Sequence, residues 1–522
     1  YGSEGTPYNY APKAYGEFAL PFNDPLLPDQ WHYVNNVDLS VAETSRAGAD
    51  INVKNAWKLC AGDPKVIVAV CDEGVKYNHP DLIDNMWVNV DEIPDNGIDD
   101  DKNGYVDDIH GWNFLSTTDY PKEIGWAAEG DKGHGTHVAG TVAAVNHNGI
   151  GVGGVAGGSG KGDGVKIMSC QVFSGNSSAT VASRAKAYEY AANNGACILQ
   201  CSFGLSGGML TSDGAFELSY GVEKVGLDYF FNYRQPYSPV DKNFAIFAAG
   251  NDGYHLAGYP AAHRDYIAVS AFGPDYLPAV YTNYGPGSNI SAPGGDSSIN
   301  RTPESNRAQV LSTVPSDCSA YNTDYGYMEG TSMACPHVSG VVALGLSYAR
   351  KLGKEFTYDE FLAMIYTSVN NIDYYIETSS KVSNGINFDL TPYWQQMGTG
   401  AIDTWRLFMQ IEGTPSLVAK TGESVKLSLN EYMGAAAANI TYLGVEADED
   451  AYEALGLEEA PFVKNGKLNI RCTKNGSAKI RIRAIAGGPV LGTDGVMGGT
   501  EFSKEISILS REAGMAKNGG WL

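Results

Sequence analysis

From about Asn23 to Gly413 the chain alternates short apolar runs with stretches of helical period. Val66–Cys71 (VIVAVC) is continuously apolar, as a strand covered on both faces must be. Lys166–Phe173, Ala196–Phe203, Phe244–Ala249 and Tyr266–Ala271 read the same way. Asp50–Leu59, Thr136–Val145, Thr180–Asn193 and Ser332–Leu352 carry the spacing of helices. Strand and helix in alternation predict an α/β fold, a parallel sheet flanked by helices. Near Gly413 the period changes to two. Val425, Leu427 and Leu429 share a face, as do Leu468, Ile470 and Cys472, then Ala478, Ile480, Ile482 and Ala484. Asn475-Gly476 between the last two runs predicts a hairpin, because both residues tolerate positive φ. The expected organisation is an arm over 1–22, an α/β domain over 23–412 and a small antiparallel β-sandwich over 413–522.

Composition narrows the choice of partners. The 522 residues carry 36 Lys and Arg against 60 Asp and Glu, a net charge of −24. Such a chain is repelled by phosphate backbones and anionic lipid, which argues against nucleic acid and membrane surfaces. No apolar run is long enough to span a bilayer. Eight cysteines in this length do not make a disulfide scaffold. Cys71, Cys201 and Cys335 fall in apolar runs and are expected as buried thiols. The chain starts at Tyr1 with no initiator Met and no leader, which reads as a removed signal or a trimmed chain.

Three positions could carry chemistry. Asp72 follows a buried strand, and in parallel sheets reactive groups gather at the carboxyl ends of strands. His134 opens a helix within Gly133-His134-Gly135-Thr136-His137, where small residues permit close approach. Ser332 starts an apolar helix, where free backbone N–H groups favour negative charge. Singly, each has a plain reading: a turn carboxylate, a core histidine, an N-cap serine. His134 and His137 share a helix face, but no HExxH motif is present to support a zinc site.

Taken together, the blocks Asp72-Glu73-Gly74-Val75, His134-Gly135-Thr136-His137 and Gly330-Thr331-Ser332-Met333-Ala334-Cys335-Pro336-His337 resemble the subtilisin-like serine proteases, the subtilase family. The resemblance runs from about Asn23 to Gly413. It implies a subtilisin-like fold and a serine endopeptidase in which Ser332 attacks the scissile carbonyl, His134 takes its proton and Asp72 orients the imidazole. It implies that Asn251, in Ala248-Ala249-Gly250-Asn251, helps to hold the oxyanion. Cys201-Ser202-Phe203-Gly204 resembles the segment that pairs with a peptide substrate, and Ala248-Ala249-Gly250 a wall of the specificity pocket. Family members usually have Ser or Thr where this chain has Glu73, and strand alternation is expected to turn Glu73 away from the site. Leu205–Asn243 is longer than its family counterpart, either a flap beside the cleft or an added surface helix. Members are typically zymogens. Residues 1–22 are too short for a folded pro-segment, so a processed chain, secreted or attached to the cell envelope, is the expectation.

Calcium is the implied cofactor. Asp24, Asp81, Val145, Asn148, Ile150 and Val152 match a calcium site of the family. Separately, Asp99-Asp100-Asp101-Lys102-Asn103-Gly104 has the D-x-D-x-N-G spacing of a calcium loop, with Asp99, Asp101, Asn103, Tyr105 and Asp107 as candidate ligands and no Glu at the twelfth position. A charged surface loop is the alternative. The competing functional reading is a silent homologue that binds a partner through 413–522. The sequence leaves the oligomeric state open.

Overall fold

A computed structural model of the chain describes residues 20–115, 123–302, 305–318, 320, 322–376, 380–413, 416–433, 440–487 and 499–511. The expected arm over 1–22 lies almost wholly outside them. Eight strands build the main sheet: β1 Ile67–Glu73, β2 Gly111–Asn113, β3 Lys166–Ser174, β4 Ser177–Ser178, β5 Ile198–Cys201, β6 Phe244–Ala248, β7 Ile267–Phe272 and β8 Ile290–Pro293. Their order is β2-β3-β1-β5-β6-β7-β8, all parallel, with β4 folded back on β3. Ala401–Ile402 and Val369–Asn370 extend the sheet beyond β8. From β1 the chain passes first to β2 and β3 on one side and then to β5 on the other. The crevice at the carboxyl ends of β1 and β5 is therefore the expected seat of a site.

The helices that pack on this sheet include, in chain order, α1 Ala56–Leu59, α2 His134–Ala143, α3 Val181–Asn193, α4 Asp213–Ser219, α5 Gly221–Asn232, α6 Thr331–Leu352 and α7 Tyr358–Thr367. Alternation within β1 splits the core. Val68 and Val70 join Val138, Val142, Val341 and Leu344 of α2 and α6. Ala69 and Cys71 join Tyr188, Ala191, Leu227 and Phe230 of α3 and α5. Both faces are covered, which is why the strand reads as unbroken hydrophobe. The long segment after β5 forms α4 and α5. Glu223 receives Arg184 Nε and Nη2 at 2.7 Å each and the Tyr188 hydroxyl at 2.9 Å, fastening α5 to α3. All eight cysteines are free and buried.

Two sequence expectations fail here. Only Ala56–Leu59 of the expected Asp50–Leu59 helix is helical. Asp50 accepts the backbone N–H groups of Asn35 and Asn52, at 2.7 Å each, and Asn52 takes φ +49. Those local bonds compete with the helix ladder. The Asn475-Gly476 hairpin also fails. Lys467–Arg471 pairs with Ser424–Ser428 and Phe462–Lys464, whereas Gly476–Ala486 pairs with Ile440–Glu446 and Thr500–Arg511. Neither residue has positive φ. A Cβ on Gly476 would lie 2.3 Å from the carbonyl oxygen of Ala454 in the short helix Glu449–Leu455, so this glycine serves a close helix approach and the chain crosses from one sheet to the other. Ser416–Lys420 adds parallel to Thr500–Arg511, so the four-stranded sheet is not wholly antiparallel.

The C-terminal sheets dock at the amino ends of β7 and β8. Thr500 Oγ1 donates to the Tyr266 carbonyl at 2.9 Å, and Asn289 Nδ2 to the Ala486 carbonyl at 3.0 Å. The Phe502 ring meets Tyr366 of α7 edge-on at 5.5 Å. Lys504 is buried there and gives its ammonium hydrogens to Thr367 and Gln410.

Candidate active site

Asp72 stands near the end of β1, 2 % exposed, one residue beyond the last pair with β5, Cys71 with Cys201. Its Oδ1 lies 2.7 Å from His134 Nδ1 and also accepts the Glu73 backbone N–H at 2.7 Å. His134 is the first residue of α2. The helix comes this close because its own side chains allow it: a Cβ on Gly135 would sit 2.0 Å from the Glu73 carbonyl oxygen. On the far side, Ser312 and Thr313 hydroxyls hold the His137 and Thr136 carbonyls at 2.7 and 2.8 Å. Burial opposes protonation of His134, but the Asp72 and Glu73 carboxylates outweigh it and hold the imidazole above its usual value.

Ser332 is the second residue of α6. Its hydroxyl donates to the Ser202 carbonyl at 3.1 Å, and the Ser202 hydroxyl donates back to the Ser332 carbonyl at 2.7 Å. Ser202 is one residue beyond Cys201, as Asp72 is one beyond Cys71, so Ser332 is bound to the neighbouring strand at the level of the Asp72–His134 pair. Adjacent strands lie about 4.8 Å apart. The serine hydroxyl faces Ser202 in this state, and such hydrogen bonds commonly tighten onto the base only with substrate bound. Beneath it a buried chain of bonds joins α6 to β5. Ser339 Oγ and Cys335 Sγ donate to Gln200 Oε1 at 2.5 and 3.3 Å, and Gln200 Nε2 donates to Ser202 Oγ at 2.7 Å.

Asn251 lies after β6, exposed. Its Oδ1 accepts the Thr331 N–H and hydroxyl at 2.8 and 2.9 Å, which fixes the amide with its NH₂ directed away from Thr331. Ala248 and Ala249 are buried, and Gly250 takes φ +110 where a Cβ would strike the Asn283 amide at 2.3 Å. Cys201 is paired on both sides, with Cys71 and Phe247, and fully buried. It is thereby out of reach of any substrate backbone. Ser202, Phe203 and Gly204 extend past the last pair, with the Phe203 ring between Phe173 and Phe247. Asp252 accepts the Gly207 N–H at 2.8 Å and so ties a loop.

The expectation for Glu73 is overturned. The β1–β3 register shifts between Asp72 and Glu73, and Glu73 Oε2 accepts the His134 backbone N–H at 2.8 Å. Sequence alternation carries no signal of this contact. The zinc alternative finds no geometry among the described residues, since the His137 ring turns to the Val310 carbonyl at 3.0 Å while His134 turns to Asp72.

Both calcium candidates assemble in part. Asp24 accepts the His147 and Asn148 N–H groups at 2.9 and 3.1 Å. Asp81 accepts the Asn148 amide at 2.7 Å and the Val152 N–H at 2.9 Å. Val145 donates its N–H to the Asp81 carbonyl at 2.9 Å, and Ile150 its own to Asn148 Oδ1 at 3.0 Å, so all six candidates share one locus. Burial, with help from the Asp24 charge, pushes Asp81 up to about 7, and burial raises Asp24 as well. Two buried carboxylates with neutral oxygens around them suit a hard cation. In the other loop Asp99 and Asp101 converge with Glu92, their carboxylate oxygens within 4.8 Å of one another. Glu92 lies outside the motif spacing and had no sequence signal. Asp107 instead turns to the Asn96 and Gly97 N–H groups at 3.1 and 2.9 Å. Asn103 bridges Asp101 and Asp108, and the Tyr105 ring packs on Trp112 and Tyr190.

A sequence model of the subtilase family matches residues 63–388. Halolysin of Haloferax mediterranei is 32 % identical over 301 residues, 58 % of this chain and 45 % of halolysin. The thermophilic serine proteinase of Bacillus sp. strain AK1 is 28 % identical over 63 % of this chain and 65 % of its own length. Thermitase of Thermoactinomyces vulgaris is 28 % identical over 58 % of this chain and 81 % of its own. The chain thus spans less than two thirds of the first two of these relatives. Among solved structures, a protease of Pseudoalteromonas arctica PAMC 21717 superposes with a TM-score of 0.49 at 25 % identity, over 75 % of this chain and 99 % of that one.

Proposed function

The chain belongs to the subtilase family, and from that membership and the geometry of the cleft we propose that it is a serine endopeptidase acting on protein or peptide substrates. The observation that carries the reading is the 2.7 Å contact of His134 with Asp72, made at the level where Ser332 is bonded to Ser202 on the next strand. Ser332 Oγ attacks the scissile carbonyl and His134 Nε2 accepts its proton. Asp72 holds the ring by Nδ1 and stabilises the imidazolium. The Asn251 amide, fixed by Thr331, and the Ser332 backbone N–H stabilise the oxyanion. Collapse of the tetrahedral intermediate passes the proton to the leaving amine, and water repeats the sequence on the acyl-enzyme. Ser202–Gly204 offer an edge on which an extended peptide adds as a strand.

The unit over 23–412 performs this chemistry, and 413–522 serves as a stabilising module. Asp24, Asp81 and Asn148, with the carbonyls of Val145, Ile150 and Val152, would hold a calcium ion that fixes the loop after α2. Glu92, Asp99 and Asp101 would hold a second. When bound, the ion would supply structural charge neutralisation for these carboxylates. Family membership and the acidic surface support a chain made as a zymogen and secreted or held at the cell envelope. Among the described residues no helix is long and apolar enough to cross a membrane.

The test is covalent labelling by a fluorophosphonate with peptide hydrolysis measured alongside. The chain is expected to label and to cleave, and Ser332→Ala to do neither while keeping its circular dichroism. Cleavage that survives in Ser332→Ala removes this serine from the role.

A further inference from the structure

Two neighbouring carboxylates meet one histidine. Asp72 takes the ring at Nδ1, 2.7 Å away, and Glu73 Oε2 takes the backbone N–H of the same residue at 2.8 Å. Both Glu73 oxygens also lie within reach of the Lys132 N–H, at 3.3 and 3.4 Å. Successive side chains of a strand point to opposite faces, so the two carboxylates reach His134 at different atoms, Asp72 the ring and Glu73 the main chain. The partners shift from Gln171 to Phe173 across Asp72 and Glu73, so the extra residue, Val172, lies on β3, and the irregularity falls where Glu73 leaves the ladder beside α2. Gly133 precedes α2 at φ +70 and supplies no side-chain cap. The free N–H at the helix start is satisfied from β1 instead, by a charge of the sign that the amino end favours.

We propose that Glu73 is a positioning residue for the general base: it grips His134 by the main chain while Asp72 grips the ring, so that the imidazole is fixed from both ends by adjacent residues of one strand. This rests on the peptidase reading above. The charged and titratable groups around the pair are Asp72, Asp131, Lys132 and the buried His137. Lys132 opposes a proton on His134, and the two carboxylates prevail over it. A substituent that merely capped a helix would stabilise the fold. One that caps at the base itself also sets where the ring sits and when it loses its proton.

The experiment separates these. Isotope-labelled His134 is titrated by NMR in the Ser332→Ala chain, with Glu73 intact and as Glu73→Gln, which keeps an acceptor oxygen but drops the charge. The midpoint is expected to fall by about half a pH unit or more in the Gln variant. In the active chain the acid limb of kcat/KM moves with it. Glu73→Ala also loses the hydrogen bond and lowers kcat about tenfold with KM little changed, and Gln restores most of that loss. A His134 midpoint that stays put overturns the proposal, as does a loss confined to KM, which would make Glu73 a substrate contact. Should Glu73→Ala fail to fold, the Gln titration alone decides. Should the intact chain cleave nothing, the peptidase reading fails while the titration still reports on Glu73.

Discussion

At the residue scale, the cleft depends on side chains whose second contacts fix them. Asn251 is the clearest case, because both donors of Thr331 occupy its oxygen and leave the NH₂ to the solvent side. Asn251→Ala should lower kcat by about 10²–10³, the loss known for such a donor in subtilisin itself, with KM little moved. Steady-state kinetics on one peptide substrate checks this, and an equal loss in KM would mean that the amide binds ground state and transition state alike. The His134 shift also ties activity to stability in opposite senses. A histidine held above its unfolded value of about 6.5 contributes its ion pair fully below that pH and loses it as pH rises through the folded value. The base becomes competent over the same range.

At the element scale, the loops after α2 and before β2 are where metal should matter. Asp81 is raised to about 7, chiefly by burial. A carboxyl raised above its unfolded value near 4 favours the fold while protonated, and that favour is lost as pH climbs from about 4 through 7. The chelator-treated chain should therefore lose Tm across this window, and added calcium should restore it most at the upper end. Differential scanning calorimetry at pH 5 and 8 reads the difference, and equal curves with and without calcium would remove the ion from this loop. The elements themselves were partly legible. Val66–Cys71, Lys166–Phe173 and Ser332–Leu352 were found within a residue or two, since long apolar runs and helical period survive into the fold. Asp50–Leu59 and the Asn475-Gly476 turn depart from their local preference, because side-chain bonds of Asp50 and the helix Glu449–Leu455 lying on Gly476 override it. The contact of Glu73 with the start of α2, and Glu92 arriving from outside the acidic motif, are tertiary facts with no periodic trace.

At the scale of the whole molecule, the apolar core runs without a break from the main sheet into the C-terminal sheets. Lys504 sits in that junction with neutral oxygens for partners, and burial pulls it down to about 7. Its folded value lies below the unfolded one near 10.4, so it weakens the fold fully below about pH 7 and progressively less toward 10.4. Lys504→Met should raise stability by roughly 2 kcal/mol at neutral pH, after the lost hydrogen bonds are set against the relieved burial, with a smaller gain at pH 10. Urea unfolding at the two pH values measures it. A loss at pH 7 would show that the amine is a favourable clasp.

The place of that junction has a directional consequence. Thr500 reaches Tyr266 and Ala486 reaches Asn289 where β7 and β8 begin, whereas Asp72, Ser202 and Asn251 lie where β1, β5 and β6 finish. In a parallel sheet those are opposite rims. Whatever grips the C-terminal sheets therefore holds the molecule from behind, with the mouth of the cleft facing outward.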